Sequence, residues 1–365
     1  MKRISILLLV FFTCFALAAW SQAQPQWWHH KIITFDVPGA GTGAGQGTVG
    51  FAINSSAAIV GWYVDGGNVM HGFLRNRGGE FTTFDAPGAG TAAFQGTVAT
   101  AINPAGTITG YYVDATDVSH AYVRAPDSTI TTIEIPQAIF AYSGSINPSG
   151  ETVGWYGDEN GVGHGFARAP GGEISTFDAP DAGTSAGQGT WDPWGCCVTP
   201  AGRITGVYVD ADGVLHGFVR APGGKITEFS VPGAVQGTIS WSINPAGAVT
   251  GPWTDAGGVN HGYVRAPDGT ITKFDVPGAG IGAGQGTTPG TIDAAGVIEG
   301  NYVDQNGVSH GFVRTPRGKI STFDAPGAGT AAGQGTFPQN DNNAGATPGY
   351  YVDANGVSHG FLWKP

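Results

Sequence analysis

Seven times along this chain an aspartate stands six residues before a histidine. The pairs are Asp65 and His71, Asp114 and His120, Asp158 and His164, Asp210 and His216, Asp255 and His261, Asp304 and His310, and Asp353 and His359. Successive histidines are 49, 44, 52, 45, 49 and 49 residues apart. Four residues past the histidine come Arg75, Arg124, Arg168, Arg220, Arg265 and Arg314, with Trp363 in the last copy. A fixed internal spacing at such a period marks a repeat architecture, in which each unit buries its faces by stacking on its neighbours.

One copy reads as four short β-runs. Gln95 to Asn103 is followed by a Pro-Ala-Gly turn, and Thr107 to Asp114 is rich in Thr, Tyr and Val. A three-residue turn, usually ending in Gly, leads to Val118–Arg124, and the fourth run is Ile130–Ile135 or, elsewhere, Phe-Asp-Ala-Pro. Glycine at the end of that turn suits the left-handed residue of a three-residue hairpin loop. No window after residue 30 carries apolar residues at helical spacing. The expected fold class is therefore all-β: a seven-bladed β-propeller of four-stranded antiparallel blades.

The chain ends sharpen this expectation. Ile32 to Pro38 reads as a fourth strand without its first three, and Gly356 to Phe361 as a third strand without its fourth. The N-terminal strand is thus expected to complete the last blade, which removes exposed sheet edges. An open solenoid would leave both ends unpaired. Residues 31–365 form a single domain on this reading.

The His-Gly-Phe or His-Ala-Tyr element that follows each aspartate resembles the repeat of the extracellular HAF-repeat proteins. The likeness covers residues 31–365, and only His120-Ala121 departs from glycine after the histidine. The resemblance implies an extracellular repeat fold and specifies no chemistry.

The first segment reads as an address. Lys2 and Arg3 precede an apolar stretch from Ile4 to Trp20, and Ser21-Gln22-Ala23 offers small residues for cleavage. Residues 1–23 are expected to be a secretory signal peptide, followed by a short segment, 24–30. Cleavage would take the net charge from -11 to -13 by removing those two cations. A chain so acidic is a poor match for nucleic acid or anionic lipid, so neither is an expected partner, and no membrane insertion is expected after cleavage. Glycine, at 63 of 365 residues, is more than double the usual share of about 7 %. The expected localisation is secreted, extracellular or periplasmic.

Several residues invite a chemical role. The seven Asp–His pairs recur in every unit, so they are read as structural braces of the hairpin, with no metal or cofactor expected. The arginines are expected to pair with carboxylates or backbone carbonyls between blades. Gln46, Gln95, Gln188, Gln236, Gln285 and Gln334 follow the glycine-rich crossover loops and offer amide donors and acceptors to a ligand. Gly183-Thr184-Ser185-Ala186-Gly187 matches the hydrolase elbow but lacks its strand–turn–helix context, so Ser185 is not expected to be a nucleophile. The repeat breaks at Trp191-Asp192-Pro193-Trp194-Gly195-Cys196-Cys197, where three residues are inserted. Trp191, Asp192 and Trp194 are candidates for stacking on a sugar and holding its hydroxyls, against the plainer reading of a tryptophan plug. Cys196 and Cys197 could form a vicinal disulfide or remain two small buried hydrophobes.

No nucleophile–base set stands apart from the repeat. The expected function is a secreted, non-catalytic binding or scaffold module that recognises an extracellular glycan or a surface protein through one propeller face. One rival is a polysaccharide lyase or hydrolase using non-repeated acids such as Asp192, Glu299 or Asp341 at the channel mouth. The other is a purely structural envelope or matrix protein.

Overall fold

The computed structural model describes residues 31–191, 197–341 and 345–364. The expected signal peptide and the segment 24–30 lie outside these residues, as do Asp192, Trp194 and Cys196. The described chain is all-β: it has 29 strands in one hydrogen-bonded network and no helix.

Strand β1 spans Lys31–Phe35, β2 Gly47–Ile53, β3 Ile59–Val64, β4 Met70–Arg75 and β5 Phe81–Phe84. Antiparallel ladders join β2 to β3, β3 to β4 and β4 to β5. The same succession recurs from Gly96–Ile102 to Ile130–Thr132 and onward. In one copy the first strand is split into Gly237–Thr238 and Ser242–Ile243. A register shift recurs at one position of the first strand, between Gly50 and Ala52, Ala99 and Ala101, and Pro289 and Thr291. Such bulges bend a strand and increase its twist.

Consecutive sets are stitched by single parallel bridges, for example Met70 to Gly96 and Asn260 to Gly286. Only glycine fits there. Gly96 has a φ of 118°, and a Cβ on it would lie 1.9 Å from the Met70 carbonyl oxygen. This accounts for the Gln-Gly-Thr motif. Its threonine has a separate task, because Thr97 Oγ1 accepts the buried Ala86 N–H at 2.9 Å and Thr287 Oγ1 accepts that of Val276 at 2.9 Å.

The two ends of the described chain meet. β1 pairs antiparallel with Ser358–Lys364 from Lys31↔Lys364 to Phe35↔Gly360. Gly47 bridges Ser358, and Ala52 bridges Asn340.

The core repeats with the sequence. The aromatic of each His-Gly-Phe element is buried: Phe73, Tyr122, Phe166, Phe218, Tyr263, Phe312 and Phe361 are at most 1 % exposed. Burial of one such ring stabilises by about 2–3 kcal/mol. Each of six meets the edge of a Phe from the fourth strand of a neighbouring set or β1, as in Phe35–Phe73 at 6.3 Å and Phe274–Phe312 at 6.1 Å, a favoured aromatic geometry. Phe166 is the exception, because Ile133 replaces that Phe. The glycine after each histidine makes room for the Phe within its own set. A Cβ on Gly72 would lie 2.7 Å from the Phe84 ring. The same Ile133 explains the sequence exception, since it lets Ala121 replace the glycine, and the two pack in one cluster.

The arginines meet backbone carbonyls only locally, as Arg168, Arg265 and Arg314 donate to the carbonyl of the next residue, and their contact between sets is with a ring. Arg75 lies over Phe35, Arg124 over Phe84, Arg220 over Phe177, Arg265 over Phe229 and Arg314 over Phe274, at 4.6–4.9 Å from the ring centroids. Trp363, at the arginine's place in the last copy, stacks on Phe323 at 5.5 Å. The flat guanidinium prefers this face-on contact to a ring already placed by the core.

Candidate functional site

Each repeated aspartate first builds its own turn. Asp65 Oδ1 accepts the N–H groups of Gly67 and Val69 at 2.8 and 2.9 Å, and the same two bonds recur at Asp158, Asp210, Asp255, Asp304 and Asp353. The Val69 N–H is the main reason the Asp65 carboxyl sits below its ordinary value. Oδ2 turns toward the histidine, which lies flat on an aromatic ring of the preceding strand. Tyr63 and His71 stack at 4.9 Å, Trp253 and His261 at 4.4 Å. Burial raises the Tyr63 pKa.

A second aspartate, which the spacing of the first pair does not reveal, completes the bracket. It stands 14 residues after the histidine, in Phe-Asp-Ala-Pro or its variants. His164 Nδ1 lies 2.9 Å from Asp178, His261 from Asp275 and His310 from Asp324, also at 2.9 Å. The first aspartate then stands off from Nε2, at 3.7, 3.5 and 3.8 Å. Where the second aspartate is absent, the histidine moves to the first. His120, with Glu134 at the second position, is 2.9 Å from Asp114, and His216, with Ser230 there, is 2.9 Å from Asp210. The outer aspartates are about half exposed: Asp85 52 %, Asp178 53 % and Asp275 56 %. The constant interval from histidine to Asp-Ala-Pro was the signal that could have found them.

The loop glutamines are engaged within the protein. Gln285 Oε1 accepts the Gly282 N–H at 2.9 Å, and its Nε2 donates to the Gln305 carbonyl at 3.1 Å. Gln46, Gln188 and Gln334 make the same two kinds of contact, and Gln95 Nε2 donates to Asp117 at 2.8 Å. Gln236 lies beside Gly258. The amides of Gln46, Gln95, Gln188, Gln285 and Gln334 latch their crossover loops to the neighbouring hairpin turn. Ser185 is exposed on such a loop, with its N–H donated to Gln188.

Trp191 is half-buried and stacks on Trp155 at 5.5 Å, which stacks on Tyr142 at 5.2 Å. This ladder crosses neighbouring sets, and the indole N–H is buried without a hydrogen-bond partner. Cys197 is fully buried and donates to the Trp241 carbonyl at 3.5 Å.

Two of the non-repeated acids come together. Glu299 is buried and accepts from the Thr347 hydroxyl. Burial, then the charges of Asp341 and Asp293, hold its pKa well above the ordinary value. Among the described residues no group of three or more His, Cys, Asp or Glu has a metal-holding arrangement.

Comparison with solved structures places the fold. The chain is similar to a streptogramin B lyase, with 14 % identity, a TM-score of 0.56, and 91 % of this chain and 97 % of that chain covered. It is similar to the BP39L lectin from Burkholderia pseudomallei at 11 % identity and a TM-score of 0.56, covering 87 % and 98 %. A prolyl endopeptidase structure matches at 12 % identity and a TM-score of 0.55, covering 86 % of this chain and 50 % of that one. The neighbours are β-propeller proteins, and the likeness defines this chain's fold as propeller-like. No family model matches the chain, and no curated protein matches it by sequence.

Proposed function

We propose that the protein is a secreted, non-catalytic binding module built as a seven-bladed propeller, with four strands per blade and β1 closing the last. The seven-fold Asp–His spacing, the antiparallel sets and the pairing of β1 with Ser358–Lys364 support this architecture. The His-Gly-Phe elements support kinship with extracellular HAF-repeat proteins, and the leader-like residues 1–23 support export.

The ligand is an extracellular glycan bound at the loop face that carries the histidine brackets. One observation carries this reading. The same half-exposed carboxylate, oriented by a histidine beneath it, returns in set after set: Asp36, Asp85, Asp178, Asp275 and Asp324. Carboxylates accept hydrogen bonds from sugar hydroxyls. Weak identical contacts repeated on one rigid face suit a polymer of identical units, because linked sites gain avidity without new contacts. Binding of the mature protein to a glycan array tests it. Retention should fall at least tenfold when these five aspartates are changed together to asparagine, with the β-type circular dichroism intact. Absence of retention on any glycan, or unchanged retention by the variant, contradicts the proposal.

The rival polysaccharide-active reading gains from the meeting of Glu299 and Asp341, where burial and the neighbouring charge raise the pKa of Glu299. Turnover of a polysaccharide panel that Glu299→Gln abolishes would favour it.

A further inference from the structure

At the opposite end of the first strands from the histidine brackets lies a cavity of about 160 Å³. Turn residues drawn from the whole length of the chain line it. Six residues into each first strand, or its bulged equivalent, comes an aliphatic side chain: Ile53, Ile102, Ile146, Val198, Ile243 and Ile292. Pro104 and its counterparts add further apolar wall. The same count from Gly335 reaches Asp341, which also lines the cavity and is 9 % exposed. One carboxylate thus replaces the seventh aliphatic residue. A neighbouring position is also changed. Thr291 stands where Ala52 and Ala101 line the cavity, is 2 % exposed, and its hydroxyl has no hydrogen-bond partner. Thr291 lies opposite Glu299 across the ladder.

The carboxylate thus stands where the other six sets place an aliphatic side chain, in a wall that also carries Asn54, Asn103, Asn147 and Thr199. A cavity of about 150 Å³ has room for a benzene-sized molecule.

We infer that this cavity binds an organic cation with a short alkyl stem, seated in the aliphatic ring with its charged nitrogen at Asp341. The stem gains apolar burial against the aliphatic side chains, and the ammonium or guanidinium group has a carboxylate beside it. Such a group could come from a free small amine or from a lysine or arginine side chain of a partner. The site is at the other end of the fold from the proposed glycan face, so either proposal can fail alone.

Calorimetric titration of the mature protein with n-butylammonium and ethylguanidinium tests the inference, with 1-butanol as the neutral isostere and a capped Gly-Lys-Gly peptide as the side-chain arm. Saturable binding of a cation or of the peptide, with no binding of butanol, is expected. Binding by the peptide alone assigns the site to a partner's side chain. Asp341→Asn should weaken binding at least tenfold, and Ala101→Leu, which fills the cavity while keeping Asp341, should weaken it as much. No saturable binding by any cationic probe, equal binding of butanol, or unchanged affinity in a folded Asp341→Asn protein overturns it.

Discussion

His359 and Asp36 are 323 residues apart in the chain, yet His359 Nδ1 lies 3.0 Å from Asp36 Oδ2. Asp36 follows β1 and takes the place that Asp85 or Asp324 takes beside its own histidine. The last bracket is therefore built from both ends of the described chain, and β1 does for Ser358–Lys364 what β5 does for β4.

The Gln-Gly-Thr threonines should be worth more than their size suggests. Thr287→Val is nearly isosteric but leaves the buried Val276 N–H without its acceptor. A loss of about 1–3 kcal/mol is expected, read as a lower midpoint in urea unfolding with unchanged slope.

Phe94 is 77 % exposed and holds a φ of 68°, where Gly45, Gly187, Gly284 and Gly333 hold φ of 77–80°. A side chain in that region costs about 1–2 kcal/mol, and glycine's extra unfolded entropy offsets about half of it. Phe94→Gly should raise the urea midpoint. A lowered midpoint would show that the exposed ring contributes to the fold.

Glu299 keeps its proton in the native protein to higher pH than in the unfolded chain. Its favourable contribution is complete below its ordinary value of 4.5 and is lost as pH rises toward the raised native value. Glu299→Gln should therefore match the parent's stability near pH 4 and exceed it at pH 8. Thermal melts at both pH values check this.

The turn aspartates work in the other direction. Asp65, Asp158, Asp210, Asp255 and Asp353 lie below the ordinary 3.8, chiefly through a backbone N–H of the valine four residues on. Their contribution is present above that value and is lost as pH falls below it. Asp210→Ala should cost about 1–2 kcal/mol at pH 7 for the lost hydrogen bonds, and the gap from the parent should shrink at pH 2.5.

Much of this was legible in one dimension because a repeat writes the same physics seven times. Asp-x5-His located the hairpin, and the unmatched strands at 32–37 and 356–361 anticipated the pairing that β1 makes. The glycine after each histidine was visible as a small residue, but the ring it makes room for belongs to the next strand. The outer aspartates lie beyond the hairpin that holds the first pair, so that pair does not point to them, although their 14-residue interval is as regular. The arginine's ring partner lies on a different set, so spacing within a set could not find it. Trp191 looked presented because it sits at an insertion, whereas its stack on Trp155 and Tyr142 depends on how neighbouring sets face each other. The approach of Glu299 to Asp341 likewise follows from stacking between sets.

Native-state hydrogen exchange on residues 24–365 tests the closure most directly. The account predicts that the amides of β1 exchange as slowly as those of β5, and that removing residues 31–37 exposes to fast exchange those amides of Ser358–Lys364 that face β1, while those facing Thr347–Val352 stay protected. Exchange of β1 at the rate of a free chain, while Ser358–Lys364 stays protected, would contradict it.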